Sequence, residues 1–248
     1  MKRVWPLIAG LVIVSGVTYG QQNDATAIVK KIDELYRSQS SYTEMEMEIV
    51  TPHWQRTLRM KVWTKGTRHT FIRITAPAKE AGVATLRVGN EMWNYLPNTN
   101  KVMKIPPSMM MSSWMGSDFT NNDLVQEFTL LDDYNFDLVH PDTARQGYLY
   151  IRAIPKQDRP IVWGKQLITV RKSDSLPVRE EYYDEKGNLM RVLNFRDITQ
   201  LGGRTIPAVM EMLPKDKEGN RTVIRYLDAR FDTNVSDDIF SLRNLRTN

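Results

Sequence analysis

The feature that most limits what this chain can become is a change of period after Ser40, from helical spacing to strict alternation. In residues 41–50, Met45, Met47 and Ile49 alternate with Glu44, Glu46 and Glu48; in residues 54–65, Leu58, Met60 and Val62 alternate with Arg59 and Lys61. A period of two marks a strand with one buried face. Paired as neighbours, these two strands set an acidic outer face beside a basic one, a favourable cross-strand arrangement that sends the Met, Leu and Ile face inward. Short runs of the same kind follow at 68–75, 83–88, 91–96 and 101–105, and again at 136–140, 147–154, 162–171, 178–184, 189–198, 205–213 and 222–231. Turn residues such as Gly66, Gly89-Asn90, Asp184 to Asn188 and Asp216 to Asn220 punctuate them, as tight hairpins require. Ahead of the strands, Asp24 is a suitable N-cap for a helix to about Ser38, with Ile28, Val29, Ile32, Leu35 and Tyr36 on one face. Near the end, Ser236 can cap a turn that returns Ile239, Phe240 and Leu242 to the sheet. The fold class is therefore mainly β with minor α: a large, curved antiparallel sheet with a few helices filling its concave side.

One stretch breaks the pattern. Lys101 to Val125 holds Met103, Met109, Met110, Met111 and Met115, with Trp114 and Phe119 among them, where a polar connection belongs. Three consecutive methionines after Pro106 and Pro107 fit neither strand nor helix periodicity. Methionine packs against irregular apolar shapes, which suits a site that meets a flexible hydrophobic ligand. The other reading is a loop that folds back to cap the protein's own core. Thr120 and Asp123 have capping-box spacing and predict a short helix from Asn121 to about Phe128.

The chain opens with Lys2 and Arg3, an apolar run from Val4 to Val14 and small residues to Gly20. These are the marks of a secretory signal peptide over residues 1–20, cut before Gln21. The run is too short for a bilayer span, which needs about 20 apolar residues. With residues 1–20 removed, residues 21–248 suffice for one large all-β domain, and no Pro-rich or low-complexity linker divides them. There is no cysteine, which excludes disulfides, thiolate metal sites, cysteine nucleophiles and an acylated N-terminal cysteine. Export without disulfides is compatible with a bacterial periplasm. The net charge of +5 includes Lys2 and Arg3, so the exported chain carries a smaller surplus with no basic run, and nucleic acid is not an expected partner.

Chemistry for an enzyme is thin. His53, His69 and His140 belong to no recognisable metal spacing, and neither a nucleophile elbow nor a phosphate-binding glycine loop is present. The carboxylates Glu180, Glu181, Asp184 and Glu185 lead into a hairpin and read as a solvated face and tip. No catalytic residue, metal site or cofactor is expected. What remains is a surplus of large apolar side chains, and Trp63, Trp93 and Tyr95 fall on the strand face opposite the one assigned to the interior. They are expected either to pack under a helix or to line a cavity.

The motifs from Tyr95 to Asn98, Lys101 to Ser108, Ser113 to Thr120 and Asp123-Leu124, together with Trp163-Gly-Lys165 and Pro177 to Asp184, resemble the signature of the bacterial outer-membrane lipoprotein-sorting family, the LolA-like proteins. The similarity runs from the first helix to Phe240. It implies an unclosed antiparallel half-barrel whose concave hydrophobic side is covered by helices and loops, in a periplasmic carrier with no catalytic residues. The implied cargo is the acyl chains of a lipidated protein or another lipid. The implied partners are an inner-membrane transporter as donor and an outer-membrane acceptor. An envelope-stress sensor or transporter-associated interaction module with the same fold is the alternative. The expected cavity and rim residues are Trp63, Trp93, Tyr95, Met109, Met110, Met111, Trp114, Met115, Phe119 and Leu124, with Ser108 to Asp118 as lid or rim. The resemblance also implies a functional arginine, for which Arg73 and Arg87 are candidates.

Overall fold

The structure, a computed structural model, describes residues 18–36, 38–126, 130–157 and 161–247, with backbone alone for 18–23 and 124–126. Most of the expected leader therefore lies outside the described residues. The elements in chain order are α1 (Thr18–Tyr36), β1 (Ser40–Val50), β2 (Gln55–Lys65), β3 (His69–Ala76), β4 (Ala84–Val88), β5 (Glu91–Leu96), β6 (Lys101–Lys104), α2 (Asn121–Gln126) and α3 (Leu130–Asp133). They continue with β7 (Tyr134–Val139), β8 (Tyr148–Pro155), β9 (Lys165–Arg171), β10 (Pro177–Tyr183), β11 (Leu189–Leu201), β12 (Arg204–Pro214), β13 (Arg221–Phe231) and α4 (Leu242–Leu245). Helix α1 starts at Thr18, ahead of Asp24, so Asp24 lies inside the helix rather than at its cap.

All thirteen strands form one open antiparallel sheet in the order β6-β5-β4-β3-β2-β1-β13-β12-β11-β10-β9-β8-β7. Two meanders thus run outward from a central pair made by the first and last strands. In the centre the alternation works as the charges demand. Glu44 lies opposite Lys61 and Glu46 opposite Arg59, with ion pairs of 3.9 and 3.3 Å, while Arg225 from β13 reaches Glu48 at 3.0 Å. Such solvent-facing pairs add little stability each; their effect is on register, since a slip of one residue would turn Met47, Ile49, Leu58 and Met60 out to water. Those four side chains are buried in the main core.

The order of strands places a demand on the chain between β6 and β7. These are the two free edges of the sheet, so residues 105–133 must pass from one edge to the other. The described part of this connection crosses the concave side, where Trp114 and Phe119 pack with Met47, Met60, Ile72, Leu193, Phe195 and Met212. That crossing is the reason a connection here is apolar. Helix α1 covers the other half of the concave side, packing Ala25, Val29 and Ile32 on Phe136, Ile151 and Ile168 of β7 to β9. On the opposite face, the C-terminal segment covers β3 to β5: Val235, Phe240 and Leu245 pack with Phe71, Leu86 and Tyr95. Ser236 does accept from the Asp238 backbone N–H, and Ile239 and Phe240 return to the sheet; Leu242 stays exposed and Leu245 takes the buried place expected for it.

Candidate functional site: the concave cavity

A cavity of about 190 Å³ lies between the concave face and its covers. For scale, an engineered apolar cavity of about 150 Å³ admits benzene. Its walls come from inward-facing positions of nine of the described strands. Met45, Met47, Met60, Val62 and Ile72 line one side, and Ile168, Leu193, Phe195, Met210, Met212 and Ile224 the other. Val29, Ile32 and Tyr36 of α1 close it from above with Trp114 and Phe119 of the crossing segment. Walls of this kind suit a hydrocarbon chain.

Of the residues expected at the site, Trp114 and Phe119 line this cavity. Trp114 is 2% exposed and its indole N–H donates to Thr85 Oγ1 at 3.1 Å, so its polar tip is satisfied where it is buried. Met110 and Met115 pack against the same core without facing the cavity, while Met109 and Met111 point to solvent at 48% and 39% exposure. Trp63, Trp93 and Tyr95 lie on the other face of the sheet, with Phe71 and Leu86 beneath the C-terminal segment. The side chain of Leu124 is outside the described residues. Arg73 and Arg87 are also away from the cavity. Arg73 donates to the Asn244 carbonyl at 2.8 Å, and Arg87 donates to the carbonyls of Gly89 and Thr67 at 2.9 and 3.0 Å.

The Met-rich segment is fastened at many points. Asn122 N–H donates to Met110 O at 2.6 Å and Asn121 N–H to Ser112 O at 3.0 Å. Ser113 bridges to Thr120, Arg56 donates to the Met115 carbonyl, and Asp118 N–H donates to Thr222 Oγ1 at 2.9 Å while that hydroxyl donates back to Asp118 Oδ2 at 2.8 Å. Helix α2 begins with a reciprocal capping box: Thr120 N–H donates to Asp123 Oδ2 at 2.7 Å and Asp123 N–H to Thr120 Oγ1 at 3.1 Å.

Beside that cap lies a polar cluster absent from the sequence reading. Glu180, read as solvated, is only 7% exposed and lines the cavity. In β10 the inward positions are Glu180 and Tyr182, and Arg191 of β11 stands directly opposite Tyr182. Arg191 makes a bidentate pair with Asp123, Nη1 to Oδ2 at 2.7 Å and Nη2 to Oδ1 at 2.5 Å. Its guanidinium also faces the rings of Tyr182 and Trp163, 4.3 and 4.6 Å from their centroids. Tyr182 donates to Glu180 Oε2 at 2.8 Å. Burial pushes the Glu180 carboxyl above its ordinary range; the Tyr182 hydrogen bond and the Arg191 charge oppose that, and Asp123 adds to it. Arg191 stays charged: burial lowers its pKa, but the charge and hydrogen bonds of Asp123 outweigh this and raise it. Gly164 makes the placement of Trp163 possible, since a Cβ there would stand 2.5 Å from the Asp184 carbonyl oxygen. A signal for this cluster was present in the sequence: Arg191 is in phase with Leu193 and Phe195, and Glu180 with Tyr182. Among the described residues no group of His, Cys, Asp and Glu could hold a metal ion, and no helix is long and apolar enough to cross a membrane.

The geometry is that of an unclosed half-barrel, and solved structures share this fold. A DUF1329 family protein from Desulfovibrio piger is 25% identical with a TM-score of 0.81, covering 91% of this chain and 99% of that one. A domain assigned to outer membrane lipoprotein sorting from Vibrio parahaemolyticus is 22% identical with a TM-score of 0.77 over 91% and 99% of the two chains. A LolA superfamily protein from Nitrosomonas europaea is 24% identical with a TM-score of 0.75 over 89% and 98%. The protein thus shares its fold with a LolA superfamily protein and with that domain. The family model described as "Uncharacterized protein" matches residues 66–247, and the chain belongs to that family. A comparison with curated protein sequences finds no match.

Proposed function

We propose that this protein is a non-enzymatic periplasmic carrier that shields the acyl chains of a lipidated protein, or of another lipid, in its concave cavity on the way to the outer membrane. The observation that carries the reading is the cavity itself: about 190 Å³ of apolar-walled space under two covers. Each methylene taken out of water contributes about 0.8 kcal/mol, so even part of an acyl chain gives useful affinity. The likeness to a lipoprotein-sorting domain and a LolA superfamily protein supports the same reading. Residues 21–248 then act as one carrier domain after removal of residues 1–20. An inner-membrane transporter as donor and an outer-membrane acceptor are the corresponding partners.

The test is to purify the protein without detergent, extract it with organic solvent and analyse the extract by mass spectrometry, then titrate the stripped protein with a fluorescent acyl lipid. Lipid at near-stoichiometric yield, or saturable binding after stripping, is the expected result. Protein that is repeatedly empty and also binds no fluorescent lipid would overturn the reading.

A further inference from the structure

The cavity wall is not uniformly apolar. At one end four hydroxyls gather on three adjacent strands. Ser41 of β1 pairs with Thr64 of β2, Thr64 pairs with Thr70 of β3, and Thr43 lies two positions along β1 from Ser41 on the same face. Directly opposed residues have Cβ atoms about 5 Å apart, and a step of two along a strand is about 7 Å, so the four form one patch. All four are buried and all line the cavity. Ser41 and Thr64 hydroxyls bond to each other at 2.7 Å. The Thr43 and Thr70 hydroxyls have no hydrogen-bond partner among the described residues, although each residue is at least nine-tenths buried. Buried hydroxyls are normally satisfied, and a valine would fill either position without this cost.

The charges of the wall point the same way. Among the described residues its ionisable lining groups are Asp33, Asp123, Glu180 and tyrosines, and these include no lysine, arginine or histidine. Arg191, the cation behind Tyr182 and Trp163, is matched by Asp123. An anionic head drawn into this space would lose its water and meet carboxyl groups, with no unmatched cation among the described lining residues. An ester, amide or alcohol would lose little, and would find donors and acceptors in the hydroxyl patch.

We propose that Ser41, Thr43, Thr64 and Thr70 form a seat for the uncharged hydrogen-bonding head of an amphiphile whose chain fills the cavity, and that the cavity discriminates against anionic heads. This rests on the carrier reading above and adds to it the chemical class of the ligand: glyceride-type esters, amides or alcohols, as against fatty-acid anions and anionic phospholipids.

The experiment is a set of titrations of the stripped protein, followed by intrinsic tryptophan fluorescence, with 1-monopalmitoylglycerol, hexadecyl sulfate and hexadecane, which carry chains of equal length. 1-Monopalmitoylglycerol is expected to bind at least about tenfold more tightly than hexadecyl sulfate, a difference of about 1.4 kcal/mol. In the Thr43→Val/Thr70→Val double variant, with folding checked by its Tm, the ratio of monopalmitoylglycerol to hexadecane affinity is expected to fall about fivefold or more. Equal binding of the sulfate and the glyceride, or an unchanged ratio in the double variant, overturns the inference and leaves the carrier reading standing. If none of the three binds, the carrier reading fails and the inference falls with it.

Discussion

Glu180 is the residue whose environment departs most from what its type suggests. It lies on the concave face of β10, desolvated, accepting from Tyr182, with the Asp123 to Arg191 pair beside it. Because burial raises its pKa in the folded state, the folded protein holds this proton more tightly than the unfolded chain does. The stability it contributes is fully present below the unfolded value of about 4.3. It falls by up to about 1.4 kcal/mol per pH unit as the pH climbs toward the folded pKa. Glu180→Gln keeps an acceptor for Tyr182 and cannot ionise. The variant is therefore expected to gain in Tm relative to the parent between pH 4 and pH 8, and a Tm difference independent of pH would contradict the burial argument. Comparison with the variant also cancels the contribution of Asp118, whose carboxyl is raised by burial as well. The neighbouring ion pair behaves differently. Arg191 and Asp123 are 7% and 18% exposed at the side chain, so Arg191→Leu leaves a buried carboxylate unmatched and is expected to cost about 3–5 kcal/mol. Adding Asp123→Leu should return part of that loss, as urea denaturation of the single and double variants will measure.

Among the elements, the segment from Ile105 to Asp133 decides how the molecule is closed. It joins the two free edges of the sheet and therefore crosses the concave side, which explains methionines and a tryptophan where a polar loop belongs. Its residues divide sharply by depth. Trp114→Asp is expected to unfold the protein, since loss of a fully buried tryptophan alone costs about 3–5 kcal/mol and an unpaired carboxylate adds to it. Met111→Asp, at an exposed site, is expected to shift stability by no more than about 0.5 kcal/mol. Circular dichroism melts of both variants check this, and equal tolerance at the two sites would show that the segment does not pack as described. The elements themselves were legible, because alternation in β1 and β2 and their complementary charges are local signals. What alternation does not reveal is which face curves inward over a cavity and which is covered by a distant segment. Trp63, Trp93 and Tyr95 are in phase with charged residues because the C-terminal turn returns to cover them. Glu180 reads as a surface charge because the groups gathered around it, Tyr182, Arg191 and Asp123, come from three separate elements. Trp163 further depends on the close approach at Gly164, which leaves no periodic trace.

As a whole, the molecule is one open sheet wrapped around a chamber that its own edges do not close. Two covers do so: α1 over β7 to β9, and the crossing segment over the centre. The C-terminal segment lies on the opposite face and leaves the chamber untouched. Two tryptophans, Trp114 and Trp163, line the cavity, whereas Trp54, Trp63 and Trp93 do not. That separation permits the most direct test of the central claim, that the cavity is where the apolar chain resides. An acyl lipid brominated along its chain quenches only indoles that it touches. Titrated into the parent protein it should quench strongly, and the Trp114→Phe/Trp163→Phe variant, folded by circular dichroism, should lose most of that quenching. Quenching that persists undiminished in the variant would place the chain against Trp54, Trp63 or Trp93, outside the cavity, and would contradict the account.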